Sequence, residues 1–215
     1  MGKRITSVAI IDYGTGNVQA VGRMLSELGV SWTQTSEEQS LREATHLLMP
    51  GVGHCGQAMH TLRNNRTDAV LEELVLRRRL PVLGICLGMQ LMTKHSEEGS
   101  TDCLGWFDAK TVRLSPIDTR AFKVPNMGWH VIDDGTSEPC LDGIELATQP
   151  FYFCHGYGVL ADEAVETTAT FSYERPYSAC LRRGNILGVQ FHPEKSQAAG
   201  LQLMRNFLKL GPAGV

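Results

Sequence analysis

PVLGICLGMQ (residues 81–90) is the stretch that decides the fold, because an apolar strand pattern runs directly into a helix pattern through two glycines. Cys86 falls at the turn, and Gly84 and Gly88 lie two residues away on either side. A nucleophile on a sharp strand-to-helix turn needs small neighbours that do not collide with the turn or the incoming substrate. The helix N-terminus that follows favours the reactive thiolate. The segment therefore predicts a nucleophilic cysteine, and a buried structural cysteine is the alternative.

The same succession of strand and helix patterns extends on both sides of this turn. SVAIID (7–12) is followed by a glycine loop and by apolar residues at helical spacing, and HLLM (46–49) ends in the loop PGVG. Strands that alternate with helices indicate a mostly parallel sheet covered by helices on both faces. NILGVQF (185–191) returns as an apolar strand, and a closing amphipathic helix follows.

Between about residues 105 and 181 the pattern changes to short β-type segments separated by turn residues. These segments predict an antiparallel layer added to the parallel sheet. They are TVRLS (111–115), WHVID (129–133), FYFCH (151–155), YGVLA (157–161), VETTATF (165–171) and YSACL (177–181).

Composition narrows the class of protein. The chain has 215 residues, of which 42% are hydrophobic, and we expect one domain over residues 1–215. The formal net charge is only −3, and the one basic run, Arg77 to Arg79, falls at an expected helix C-terminus, so we expect no nucleic-acid partner. Six cysteines without a C-x-x-C pair and no long apolar stretch favour a cytoplasmic protein with reduced thiols and no membrane contact.

HPE (192–194) directly follows the last apolar strand and supplies a possible base. In an extended backbone, residues two apart point to the same side, so Glu194 would orient the imidazole of His192 to take the thiol proton of Cys86. Both segments would project from the carboxyl ends of strands, where open α/β sheets place their sites. The two motifs together predict a Cys-His-Glu triad.

PGVG (50–53) also ends a strand and predicts an oxyanion-binding loop. Gly51 and Gly53 would let the peptide of Val52 turn freely and bring backbone N–H groups close to the substrate. The N–H groups of Val52 and Leu87 are then the expected oxyanion donors. An ordinary glycine turn is the alternative interpretation of this segment alone.

These motifs resemble those of class I glutamine amidotransferases, which carry G-x-C-x-G-x-Q and H-P-E. DYGTGN (12–17), GICLGMQ (84–90) and GVQFHPEKSQAAG (188–200) narrow the resemblance to the HisH-type glutaminase subunits of imidazole glycerol phosphate synthase. The resemblance runs from Ile10 to Leu208. It implies a flavodoxin-like fold, glutamine hydrolysis without a cofactor, and a HisF-type cyclase as partner in a heterodimer of histidine biosynthesis.

The resemblance also assigns further residues. It implies that Gln90 and Glu98 contact the polar end of glutamine and that the backbone at 155–157 meets its carboxylate. In the same way it places Asn17, Trp129 and Lys195 on the partner-facing surface, and we expect Trp129 in a loop beside Gly128. The three residues of the carboxylate-binding segment are His155, Gly156 and Tyr157.

The sequence departs from the family at several positions. The family usually has P-H-M-G-W-N where this chain has PNMGWH (125–130), so His and Asn are exchanged at Asn126 and His130. Cys154 and Gly156 also replace the usual residues of a V-H-S-Y segment, and Cys55 replaces a common aromatic residue.

These departures leave other functions open. One is a paralogous glutaminase that feeds a different ammonia acceptor, for example a sugar-amidating enzyme of surface polysaccharide synthesis. Others are a stand-alone γ-glutamyl cysteine hydrolase and a catalytically silent binding partner.

The remaining histidines lack the spacing of a tetrahedral metal site, so no metal is predicted.

Overall fold

The structure, a computed structural model, describes residues 6–134, 138–161 and 167–211. Val165 and Glu166 of the predicted strand VETTATF lie outside these residues. The helices are α1 (Val18–Glu27), α2 (Glu38–Glu43), α3 (Cys55–Asn64), α4 (Thr67–Glu72), which continues as one π-helical turn (Glu73–Arg77), α5 (Leu87–Leu91) and α6 (Gln197–Phe207). Two short 3₁₀ turns cover Pro139–Leu141 and Pro193–Lys195.

The strands of the described residues fall into one large sheet and one small sheet. They are β1 (Ser7–Ile11), β2 (Ser31–Thr35), β3 (His46–Gly51), β4 (Val82–Cys86), β5 (His95–Ser96), β6 (Thr101–Asp102), β7 (Ala109–Arg113), β8 (Asn126–His130), β9 (Asp133–Asp134), β10 (Phe151–His155), β11 (Tyr157–Ala161), β12 (Thr167–Tyr173), β13 (Arg175–Arg183) and β14 (Ile186–Val189).

The parallel half of the large sheet has the strand order β2-β1-β3-β4-β14. Strands β1, β3, β4 and β14 are buried along almost their whole length because helices cover both faces, whereas the edge strand β2 is polar and mostly exposed. In β1, Val8 and Ile10 pack into a core with α1 and α6, whereas Ala9 and Ile11 pack into a second core with α2 to α5. The carboxyl ends of β3, β4 and β14 therefore lie side by side at one edge of the sheet.

The predicted antiparallel strands take two positions in the structure. β13 pairs antiparallel with β14, and β11 and β7 extend the same sheet beyond it. β8 and β10 instead pair with each other as a separate two-stranded sheet. The predicted fold, a mostly parallel sheet with helices on both faces and an added antiparallel part, is confirmed.

All six cysteines are free thiols. Cys55, Cys140 and Cys180 are buried in the hydrophobic cores, whereas Cys103 and Cys154 are partly buried. The sulfurs of Cys55 and Cys103 lie 3.5 Å apart.

Candidate active site

Cys86 occupies a strained turn between β4 and α5. Its backbone has φ 54° and ψ −107°, a combination that non-glycine residues rarely adopt and that typically costs about 1–3 kcal/mol. Strain of this kind persists only where the surrounding structure enforces it. The turn therefore presents the sulfur at the carboxyl edge of the sheet, beside the end of β3.

The glycines on either side of Cys86 are required mainly by the packing of protein on protein. A Cβ atom on Gly84 would lie 2.7 Å from the carbonyl carbon of Gly88, and one on Gly88 would lie 1.7 Å from the carbonyl oxygen of Met49 in β3. Both distances are far below van der Waals contact. The two glycines let α5 lie directly against β3 and hold the elbow closed.

His192 and Glu194 form the predicted pair. The Nδ1 atom of His192 lies 2.8 Å from Oε1 of Glu194, and the exposed fraction of both side chains is 2%. The expectation of an extended backbone is wrong, because a 3₁₀ turn begins at Pro193 and brings the two side chains together.

The charge state of His192 follows from its neighbours. Burial opposes the charged imidazolium, but Cys86 in its thiolate form and the Glu194 carboxylate together outweigh it and raise the pKa of His192 to about 10. Its Nε2 atom has no hydrogen-bond partner within the described part of the chain. The Cys86 sulfur instead donates to the carbonyl oxygen of Cys154 at 3.8 Å. The triad is complete once this sulfur turns from the Cys154 carbonyl towards Nε2 of His192.

The end of β3 forms the loop for which the sequence predicts oxyanion binding. Gly51 is needed for space, since a Cβ there would lie 2.6 Å from the hydroxyl of Tyr13 and 2.8 Å from Cβ of Leu87, whereas Gly53 has φ 118°. Val52 is 46% exposed. Leu87 is the first residue of α5, so its N–H has no acceptor within the helix. Val52 and Leu87 both line the cavity over Cys86, and their role as oxyanion donors stays a prediction.

Tyr13 is a residue of this loop that the sequence analysis missed. Its buried hydroxyl donates a hydrogen bond of 2.8 Å to the carbonyl oxygen of Pro50 and so holds the end of β3. Burial raises the pKa of Tyr13 well above its ordinary value, which keeps the hydroxyl protonated as a donor. Its signal in the sequence, an aromatic residue within DYGTGN, did not indicate this contact.

A cavity of about 270 Å³ opens over Cys86. All predicted substrate-binding residues except Gly51 line it, and the buried His192 is not among the lining residues. The lining residues are Val52, Gly53, Cys86, Leu87, Gln90, Glu98, Pro125, Cys154, His155, Gly156 and Tyr157.

A buried polar network forms one wall of this cavity. Gln90 donates through Nε2 to the carbonyl oxygen of Tyr157 at 2.9 Å and to Oε1 of Gln190 at 3.2 Å. The same Tyr157 carbonyl also accepts from Nδ1 of His155 at 2.7 Å. Burial lowers the pKa of His155 to about 4, so its imidazole is neutral at physiological pH. Gln190, like Tyr13, was not identified from the sequence.

The exchanged residues Asn126 and His130 belong to the same network. Nδ2 of Asn126 contacts Nε2 of His155 at 3.3 Å, and Oδ1 of Asn126 accepts from Nε2 of His130 at 2.8 Å. The side chain of His130 passes over Gly128, whose Cβ position would be 3.7 Å from Nε2. The two exchanged residues are therefore bonded to each other in this chain.

The predicted partner-facing residues are exposed. Trp129 lies in β8 and not in a loop, and its ring packs edge-on against Tyr152 with centroids 5.5 Å apart. Nζ of Lys195 lies 5.2 Å from the centroid of the Tyr152 ring, so Tyr152 joins two residues that the sequence could not connect. Asn17 precedes α1 and makes no capping hydrogen bond with its side chain.

A metal-binding cluster and a membrane-spanning helix are both absent from the described residues. These residues contain no group of three or more His, Cys, Asp or Glu side chains placed to hold a metal ion. No helix among them combines the length and the hydrophobicity that crossing a membrane would require.

Comparison with known proteins now identifies the class of protein that this fold and site define. The family model "Glutamine amidotransferase class-I" matches residues 9–210, and the chain belongs to that family. Solved structures with the same fold include PurLQS from Thermotoga maritima, with a TM-score of 0.71, 13% identity, and coverage of 95% of this chain and 98% of that one. A glutamine amidotransferase from Thermotoga maritima has a TM-score of 0.66 at 15% identity and covers 97% and 100%.

Curated relatives within the family are more similar in sequence. The chain is 38% identical to imidazole glycerol phosphate synthase subunit HisH 2 of Pseudomonas aeruginosa over 94% of this chain and 99% of that protein. It is 42% identical to subunit HisH of Bacteroides fragilis, again over 94% and 99%. Both relatives are named as subunits of a larger synthase.

Proposed function

We propose that this chain is the glutaminase subunit of imidazole glycerol phosphate synthase in histidine biosynthesis. It hydrolyses glutamine to glutamate and ammonia through a cysteine thioester, and it passes the ammonia to a HisF-type cyclase. The observation that carries the proposal is the strained Cys86 elbow beside the buried His192–Glu194 pair. The full-length similarity to HisH subunits supports the choice of synthase.

In the proposed reaction, the Cys86 thiolate attacks the side-chain amide carbon of glutamine. The N–H groups of Val52 and Leu87 stabilise the resulting oxyanion. His192, which the raised pKa keeps protonated, gives its proton to the departing ammonia as the C–N bond breaks. A water molecule then loses a proton to neutral His192 and attacks the thioester, and the C–S bond breaks to release glutamate and regenerate the thiolate.

The cavity suits a small amino-acid substrate. Both hydrogens of the Gln90 amide are directed at protein acceptors, which leaves its oxygen to accept a hydrogen bond from a ligand. Glu98 uses Oε2 to accept from the N–H of Cys55 at 2.7 Å and keeps its other oxygen for the cavity. We assign these two oxygens to the α-ammonium group of glutamine and the backbone at 155–157 to its carboxylate.

The partner surface continues from Trp129 along β8. Met127 and Val131 are 64% and 47% exposed and alternate with less exposed positions, so they form an apolar stripe with Trp129. A heterodimer with the cyclase would cover this stripe, and Asn17 and Lys195 would provide polar contacts at its margin. Residues 1–215 form one amidotransferase domain in this proposal, and the complex works in the cytoplasm.

The test is glutamate release from glutamine by the purified chain, alone and with a HisF-type cyclase plus its nucleotide substrate. We expect strong stimulation by the loaded cyclase, because the partner surface connects to the cavity wall through β8. Hydrolysis that depends on Cys86 but ignores the cyclase would overturn the histidine-pathway assignment and point to a different ammonia acceptor.

Glu194→Gln is expected to lower kcat by about 10² to 10⁴-fold, because the imidazole remains but loses the carboxylate that orients it. Steady-state glutamate release with and without the cyclase measures the loss. Glu27→Gln is the matched control, since Glu27 lines a cleft together with Glu194 but is an exposed residue of α1. A Glu194→Gln variant with the kcat of the wild type would exclude an orienting role for this carboxylate.

The same variant should show a pH-dependent loss of stability. Because folding raises the pKa of His192 from 6.5 to about 10, the stabilisation is complete below about pH 6.5 and is lost as the pH rises through about 10. Removal of one anionic partner reduces this shift. We therefore expect Glu194→Gln to lower the free energy of unfolding more at pH 6.5 than at pH 10, as measured by urea denaturation. An equal loss at both pH values would contradict the charged pair.

A further inference from the structure

We propose that Gln190 is a further catalytic residue, whose side-chain amide donates a hydrogen bond to the sulfur of Cys86 and stabilises the thiolate. This proposal rests on the proposed glutaminase function. It assigns a chemical task to a residue that lies two positions before His192 and belongs to neither the triad nor the oxyanion loop.

The first observation is the contact with the reacting atom. Gln190 directly follows β14, is fully buried, and places Nε2 3.7 Å from Sγ of Cys86. Its own backbone N–H is bonded to the carbonyl oxygen of Ala179 at 2.9 Å, which fixes the start of the side chain. Since solvent does not reach this amide, the sulfur is the acceptor that compensates for its burial.

The second observation fixes which end of the Gln190 amide faces the sulfur. The carbonyl oxygen of Tyr157 can only accept, so Gln90 must direct its NH₂ group towards it. That NH₂ group also donates to Gln190, which must therefore present its oxygen to Gln90. The NH₂ group of Gln190 is then left facing Cys86. A backbone carbonyl thus determines the direction of the whole chain of hydrogen bonds.

The proposed reaction has two steps at which this donor would stabilise negative charge on the sulfur. Before attack, the hydrogen bond favours the thiolate over the thiol and so raises the fraction of reactive sulfur. In the second half-reaction, water adds to the thioester, the C–S bond breaks, and its electron pair returns to sulfur. A donor aimed at the sulfur stabilises the charge that develops there.

The decisive experiment measures the alkylation of Cys86 by iodoacetamide as a function of pH, with the peptide containing Cys86 followed by mass spectrometry. For Gln190→Met, which keeps the volume and removes the donor, we expect the pH midpoint of alkylation to rise by about one unit. At pH 7 we expect kcat for glutamine hydrolysis to fall about tenfold while KM changes little, because the sulfur and not the substrate loses its partner.

Asn185→Leu is the matched control, because it removes the other buried amide that flanks β14. Asn185 bonds to the carbonyl oxygens of Val75 and Leu80, both at 2.8 Å, at the opposite end of the strand. We expect this variant to lose stability without moving the alkylation midpoint. A folded Gln190→Met variant with an unchanged midpoint would overturn the proposal, and so would an equal shift in Asn185→Leu.

A second measurement needs no variant. In the wild-type chain, the side-chain NH₂ signals of Gln190 in ¹⁵N-resolved NMR should titrate with the same midpoint as alkylation of Cys86, and signals that ignore this midpoint would overturn the proposal. The glutaminase proposal has a separate test: it is wrong if the wild-type chain releases no glutamate, or if its glutamate release does not depend on Cys86. Alkylation and NMR report on the sulfur whether or not glutamine is the substrate.

Discussion

Cys86→Ala is expected to abolish glutamate release, with kcat at least about 10⁴-fold below that of the wild type. The thiol of Cys86 is the group that forms the covalent intermediate in this mechanism. Alanine keeps a Cβ atom and therefore the strained backbone at φ 54°, so the free energy of unfolding should change by only about 1 kcal/mol. Glutamate release with the loaded cyclase and urea denaturation give the two readouts.

Cys140→Ala is the control for this substitution. Cys140 is fully buried but lies in the 3₁₀ turn against α6, remote from the cavity. We expect it to lose some stability and to keep its activity. Residual Cys86-independent hydrolysis of glutamine would mean that the covalent mechanism is wrong, even if the chain binds glutamine in the cavity.

Gly88→Ala adds one methyl group, and we expect it to lower stability and activity more than a methyl group added at any other position of the site. In an unconstrained helix this substitution stabilises by about 0.5–1 kcal/mol. Here the new Cβ would lie 1.7 Å from the carbonyl oxygen of Met49, so α5 must move away from β3 and carry Leu87 with it. We expect a loss of roughly 3 kcal/mol or more in the free energy of unfolding and loss of most glutaminase activity.

Gly128→Ala is the control for Gly88→Ala, and the free energy of unfolding of both variants is measured in the chain without its partner. A Cβ on Gly128 meets its nearest atom at 3.7 Å, which is ordinary contact, so we expect a change within about 1 kcal/mol. If both alanine variants unfolded at the same urea concentration as the wild type, the close contact between α5 and β3 would not be what requires glycine at position 88.

The elbow and the triad were predictable from the sequence because their signals are local. GICLG and HPE each place a reactive side chain within a few residues of the elements that hold it. Even so, the extended backbone expected from the sequence is not what brings His192 and Glu194 together. Pro193 starts a 3₁₀ turn, and no pattern of period two or 3.6 distinguishes that turn from an extended segment.

The supporting residues were not predictable, because their partners are remote in the chain. Tyr13 reaches Pro50, Gln190 reaches Cys86 across 104 positions, and Tyr152 connects Trp129 with Lys195. Such contacts depend on which strands become neighbours. The separate sheet of β8 and β10 shows the same limit, since alternating β-type segments predict strands but not which strands pair.

The parallel order of β3, β4 and β14 also determines where a label or a surface tether can be attached to this protein without blocking its site. Cys86 and His192 lie at the carboxyl edge of the sheet, so the edge at the start of β4 faces away from the cavity. The exposed stretch Arg77 to Arg79 lies there, just before the buried residues that begin the strand. A fluorophore or an electrode tether attached to this stretch would leave both the cavity and the apolar stripe unobstructed, which makes it the preferred anchoring position for a glutamine sensor.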